Sequence, residues 1–427
     1  MRNRLIMLLV PALLAAVVWG VFPSRAEDNS LKFKLKPGAG SKICFNCHAA
    51  FQETMKKPFV HTPLKKGDCA GCHNPHTSRH GKLLDADRSR ICFRCHPDLT
   101  PSGSRSVHKV VAAGECMKCH DPHAAANKFQ LRQSGNDLCF DCHKELKQQL
   151  EKIKFKHSPV TKGCLTCHLP HASATAPFLL RADISSLCTG CHKTDRPLFA
   201  KQHMNYPVAG SRCTGCHDPH GSNREGLLYN GVHKPVAGRM CNQCHEEANS
   251  AKPLALKKRG AELCRGCHSV KMNEILGKNR LHWPLLGKDE CLNCHNPHAS
   301  KDAGLLKSDQ KTLCGSCHEE AIRRQDRSAS KHEPVDKGQC TACHNPHSSD
   351  YLFLAKAPTD AEWCGSCHDW QKHSTHPLGD KAIDPRNRNL TVQCLSCHRA
   401  HGTEYKHLIP FVTVSDLCTQ CHQQYKR

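Results

Sequence analysis

HSPVTKGCLTCHLPH, residues 157–171, places two cysteines and three histidines in one short run. Cys164 and Cys167 form a C-x-x-C pair, and His168 follows it directly. His157 stands upstream, and His171 closes a tail that holds Pro170. The same pair recurs along the whole chain: all 32 cysteines of the 427 residues fall into C-x-x-C pairs, each followed at once by histidine. The triplets are Cys44, Cys47 and His48; Cys69, Cys72 and His73; Cys92, Cys95 and His96; Cys116, Cys119 and His120; Cys139, Cys142 and His143; Cys164, Cys167 and His168; Cys188, Cys191 and His192; Cys213, Cys216 and His217; Cys241, Cys244 and His245; Cys264, Cys267 and His268; Cys291, Cys294 and His295; Cys314, Cys317 and His318; Cys340, Cys343 and His344; Cys364, Cys367 and His368; Cys394, Cys397 and His398; and Cys418, Cys421 and His422. With 34 histidines in the chain, a histidine at one offset from every pair is not a product of composition.

C-x-x-C-H is the attachment signature of c-type haem: two thiols add to the porphyrin vinyl groups and the adjacent imidazole reaches the iron. Zinc ribbons use C-x-x-C pairs but need no histidine at that offset, and exported disulfide scaffolds need none at all. The expectation is sixteen covalent c-type haems, with these cysteines as attachment points and the adjacent histidines as proximal iron ligands.

That density sets the fold class. The chain has 13 Phe, five Tyr and four Trp, and its mean hydropathy is −0.57. Taken alone, this is the composition of a chain too polar to bury a core. About 25 residues per motif cannot build a core either, so haem faces must supply the apolar bulk. The sequence predicts a mostly irregular, elongated chain of tandem haem-binding repeats, with short α-helices at the motifs and little or no β.

Two kinds of motif alternate. One is led by a bulky apolar residue, as at Ile91, Leu138, Leu187, Leu263, Leu313 and Leu417. The other is led by an upstream histidine: His61, His108, His157, His203, His233, His282, His332 or His376. Seven of these histidine-led motifs also carry a downstream tail, ending at His76, His123, His171, His220, His298, His347 and His401, the last with Ala400 in place of proline. The alternation breaks once, where the Cys213 and Cys241 motifs are both histidine-led and the second has the tail CHEEA. This divides the mature chain into two eight-haem halves, 27–230 and 231–427.

Recurrence at fixed offsets makes the upstream and tail histidines the expected distal ligands. A tail histidine three residues past the proximal one lies on the same side of that haem, so it must serve another iron. One further donor is needed, and His407, between the last two motifs, is the expected one. His80 and His373 are read as solvated. The methionines Met55, Met117, Met204, Met240 and Met272 share no offset, so bis-histidine, low-potential haems are expected.

At the N-terminus, Arg2 and Arg4 precede an apolar run from Leu5 to Phe22 and the small-x-small site Ser24-Arg25-Ala26. Residues 1–26 therefore read as a secretory signal; left uncleaved, the run would anchor the chain to the membrane. The formal charge is +23. Loss of the three leader arginines and the propionates of sixteen oxidised haems bring this to about +4, so the basic excess neutralises propionates and no nucleic-acid partner is expected.

The sixteen CxxCH motifs, with H-x-P-[VL]…CxxCH-x-P-H units such as His332–His347, make the chain similar to multihaem c-type cytochromes of the doubled-CxxCH kind. That group includes periplasmic electron carriers and decahaem subunits of outer-membrane porin–cytochrome conduits. The resemblance covers nearly all of the mature chain. It implies an extended haem series carrying electrons from membrane quinol-linked donors, directly or through other cytochromes, to periplasmic or extracellular acceptors, with an outer-membrane porin as a candidate partner. An extracellular haem filament is the structural alternative. The enzymatic alternative, reduction of a nitrogen or sulfur oxyanion, needs an iron with an open position, to be sought at Cys241 or Cys418; no CxxCK marks one.

Overall fold

A computed structural model describes residues 39–369, 376–379 and 382–426. The leader expected over residues 1–26 and His373 lie outside these. The described chain is mostly short helices and turns, as the closely spaced motifs lead one to expect, and its strands are two-residue antiparallel ladders. Among the described residues, no helix is long and apolar enough to cross a membrane. Two compact units form: one holds residues up to Asp98 together with Lys109–Ser134, the other Leu99–His108 with Gly135–Arg427.

Five histidine-led repeats, at His61, His157, His233, His282 and His332, are built the same way, whereas His203 closes the helix Pro197–Gln202 and the turn Lys109–Ala112 after His108 has no proline. The upstream histidine is extended and caps a single helical turn with proline in its first two positions, as in Thr62–Lys65, Ser158–Lys162, Lys234–Ala237 and Glu333–Asp336. Proline fits there because its missing N–H would have no helical partner. The next turn is the attachment motif, in which the proximal histidine N–H donates to the first cysteine's carbonyl, at 3.0 Å for His168 and 3.1 Å for His217. Both thiols and the imidazole thus share one turn.

Two ladder residues follow five of the seven tail histidines and pair with two that precede an upstream histidine. Phe59–Val60 pairs with Ala124–Ala125, Ser106–Val107 with Ala172–Ser173, Phe155–Lys156 with Gly221–Ser222, Gly231–Val232 with Ala299–Ser300, and Arg280–Leu281 with Ser348–Ser349. The residues on one side are small because they are buried where backbones meet: Ala124, Ser173, Ser222, Ala299 and Ser348 are all nearly inaccessible. At Gly221, a Cβ would run into Ile153 and the Phe155 carbonyl, and φ is +143°. Glycine alone satisfies both constraints.

The repeat ends in a tight turn whose residues take left-handed φ, including Phe129 and Gln130, Phe178 and Leu179, Phe353 and Leu354, and His407 and Leu408. Such φ values are costly for residues with side chains and mark positions where the backbone has a task.

Candidate haem-binding sites

That task is to aim carbonyls at the attachment motif. The first left-handed residue's carbonyl meets the Nδ1 of the proximal histidine: Lys82 with His73 at 3.0 Å, Phe129 with His120 at 2.8 Å, Phe178 with His168 at 2.9 Å, Gly226 with His217 at 2.6 Å and Phe353 with His344 at 2.8 Å. Leu254, Gly304 and His407 do the same for His245, His295 and His398. The upstream histidines direct Nδ1 to the tail carbonyl: His108 to Pro170, His157 to Pro219, His233 to Pro297 and His282 to Pro346, at 2.8–3.1 Å. An Nδ1–H held by a carbonyl leaves the Nε2 lone pair free and sets the ring's orientation, the arrangement that metal-ligating histidines require.

The rings then meet in pairs. His61 faces His96 at a centroid distance of 6.0 Å with planes 16° apart, and His73 faces His123 at 6.0 Å and 12°. His108 faces His143 at 6.2 Å, His157 faces His192 at 6.0 Å, and His168 faces His220 at 6.2 Å, with planes 11–23° apart. Further along, His233 with His268, His245 with His298, His282 with His318 and His295 with His347 all stand at 6.0 Å and 17–18°. His332 and His368 are 6.1 Å apart at 25°. Three pairs are more steeply inclined: His203 with His217 at 64°, His344 with His401 at 46° and His376 with His422 at 74°. These separations exceed ring contact. Two imidazoles bonding one metal through nitrogens at about 2.0 Å hold their centroids roughly 6.3 Å apart. The residues present fit bis-histidine haem iron.

The pairing obeys two rules. An upstream histidine faces the proximal histidine of the next, apolar-led motif. A tail histidine faces the proximal histidine of the histidine-led motif one repeat earlier, so His220 stands opposite His168 rather than His217. Both donors come from one ladder: His61 N–H donates to the His123 carbonyl at 2.8 Å, His157 to His220 at 3.2 Å and His233 to His298 at 3.0 Å. Neighbouring motifs also bring cysteines close together: Cys92 and Cys116, Cys188 and Cys213, Cys314 and Cys340, and Cys364 and Cys394. No disulfide joins any of the 32 cysteines.

At the middle of the sequence these rules interlock. With no apolar-led motif after Cys213, His203 has no following site to serve; with no tail histidine after Cys241, His217 lacks a donor. The structure puts His203 opposite His217, across a 64° angle. Tyr206 Oη donates to the Glu246 carbonyl at 2.8 Å and Asn296 Nδ2 to the Gly215 carbonyl at 3.0 Å, tying the two sides together.

Of the remaining expected ligands, His76 sits on its tail with its N–H accepted by Asn74 Oδ1 at 3.0 Å, and the His171 carbonyl accepts from His108. His48 closes its attachment turn by donating its N–H to the Cys44 carbonyl at 2.8 Å. His407 occupies the carbonyl-donating turn position that Phe129 and Phe353 hold elsewhere, a role distinct from the distal one expected of it. His80 pairs with Asp87 at 3.1 Å. The turn carbonyls were missed by sequence reasoning, although a Leu just after the two left-handed residues, Leu131 in KFQL and Leu180 in PFLL, marks the place, with Ala355 there in the Cys340 repeat.

Burial lowers the imidazole pKa of His61, His123, His168, His217, His298, His347 and His401 below the ordinary value, which favours the neutral, ligating form. Burial pushes the Cys92 and Cys188 thiols up to about 11 and Cys364 to about 12, with neighbouring thiols adding to it.

A family profile described as the doubled CXXCH motif matches residues 61–100, 108–148, 157–197, 205–231, 233–273, 282–323, 332–373 and 388–427. The multiheme cytochrome MtrA of Shewanella baltica (strain OS185) is 26% identical over 191 residues, covering 39% of this chain and 54% of that protein. The chain thus spans about half the length of the curated relative it matches. Motifs, repeat geometry and profile agree, and the chain belongs to the doubled-CXXCH family of multihaem c-type cytochromes.

Proposed function

We propose that the protein is an electron carrier holding sixteen covalent c-type haems, mostly bis-histidine ligated, and that it has no catalytic site of its own. The observation that carries this is the set of imidazole pairs at 6.0–6.3 Å, many of whose rings have Nδ1 held by a main-chain carbonyl. Bound haem iron supplies reversible one-electron chemistry, and the chain's own work is ligation, spacing and exclusion of side reactions. The cysteines would hold each group covalently, and the proximal histidines would supply one ligand to its iron. Upstream and tail histidines, carried on the ladders, would supply the other. Histidines on both axial faces leave no open position for an oxyanion substrate at the paired sites, which disfavours the reductase reading.

The two eight-haem halves, 27–230 and 231–427, meet where Tyr206 bonds the Glu246 carbonyl and Asn296 the Gly215 carbonyl, beside the His203–His217 pair. The leader directs the chain to the periplasm or beyond. Its partners are redox proteins: a quinol-linked membrane donor, other cytochromes and, by analogy with conduit cytochromes, an outer-membrane porin. A spectroelectrochemical titration tests the reading. Sixteen interacting low-potential sites give a broad wave at negative potentials, whereas one narrow high-potential wave would contradict it.

A further inference from the structure

We propose that the residue directly after the proximal histidine of a histidine-led motif tunes the iron served by the tail histidine two positions on, and that Asp121 and Asp218 make the Cys69 and Cys164 sites the low-potential members of the series. This rests on the ligation reading above. For the proximal histidines of the histidine-led motifs, and for upstream His108, His157, His233 and His282, Nδ1 meets a main-chain carbonyl, which is the same whatever the sequence. The tail histidines instead meet a side chain that changes from repeat to repeat.

Asp218 Oδ1 accepts the His220 N–H at 3.0 Å and lies 3.6 Å from its Nδ1; Asp218 itself is 8% exposed. Asp121 Oδ1 accepts the His123 N–H at 3.0 Å and lies 3.8 Å from its Nδ1. Asn296 and Asn345 make the same N–H bond, to His298 at 3.1 Å and His347 at 3.2 Å, without a charge. Leu169 and Arg399 hold the same position, two residues before His171 and His401, and the Arg399 guanidinium turns back to the Leu395 and His398 carbonyls. A carboxylate beside Nδ1 makes the imidazole a more basic ligand and adds negative charge near the iron, so the ferric state gains. Aspartate thus lowers the potential, asparagine is neutral, and arginine raises it. His220 opposes His168, so Asp218 acts on the Cys164 site; His123 opposes His73, so Asp121 acts on the Cys69 site. Lys82 opposes Asp121 at His123, which makes Asp218 the cleaner case.

Asp218→Asn is close to isosteric and keeps the oxygen that accepts the His220 N–H. In the haem-loaded, full-length protein, one site of the low-potential limb should then titrate at a three- to tenfold lower oxidised-to-reduced ratio at fixed potential, a rise of up to about 59 mV for one electron. Asn296→Asp should move one site the opposite way and serves if the first variant loads haem poorly. Superimposable titrations of both variants and the parent, at equal haem content, would overturn the assignment. A parent protein lacking low-spin bis-histidine spectra would overturn the ligation reading beneath it.

Discussion

His220 is three residues from His217, yet its ring faces His168. His203→Ala and His220→Ala therefore open different irons. Each variant should show high-spin ferric signal equal to one site in electron paramagnetic resonance, and the double variant should show twice as much. Signals that fail to add would mean that both histidines serve the Cys213 iron. Part of this was legible in the sequence: a histidine so close behind the proximal one cannot reach the far face of the same haem. Its actual partner was not, because the choice is made by the pairing of Phe155–Lys156 with Gly221–Ser222, two short segments with no pattern of their own. The turn role of the His407 carbonyl was hidden for a similar reason, since a backbone carbonyl's role leaves no trace in side-chain identity.

The ladders and turns show what the small elements contribute. Gly221→Ala brings a Cβ against Ile153 and the Phe155 backbone at a φ that alanine disfavours, and should cost about 1–3 kcal/mol. The check is hydrogen exchange at the His157 amide, which should lose protection along with residues 155–156. A second element lies between the Cys364 and Cys394 motifs, where Ile383 bridges Thr391 and a buried Asp384 accepts two bonds from the Arg386 guanidinium, at 2.9 and 2.6 Å. The guanidinium holds the Asp384 carboxyl below the usual carboxylate range. A depressed folded pKa gives stability that is present above the unfolded value near 3.9 and is lost as pH falls through the folded value. Asp384→Asn should cost this segment about 1–3 kcal/mol near neutral pH and remove its acid sensitivity, as read by hydrogen exchange of residues 382–392. The short helices were foreseeable from motif density, whereas these ladders are too short for any alternation to announce them.

Across the whole molecule, the interruption at Cys213 and Cys241 is where the account is most exposed. A repeat missing one tail and one apolar-led motif would leave one iron without a donor and one donor without an iron, and His203 opposite His217 resolves both. The break itself was readable from motif order; its resolution depended on seeing the two rings together. The polar composition follows from the same logic, because among the described residues the buried apolar side chains are few and small, with alanines prominent. The measurement that bears most directly on the central claim is a pyridine haemochrome assay on the exported protein, normalised to chain concentration. The account predicts sixteen haems per chain, one for each C-x-x-C-H motif. A value far below that would contradict it.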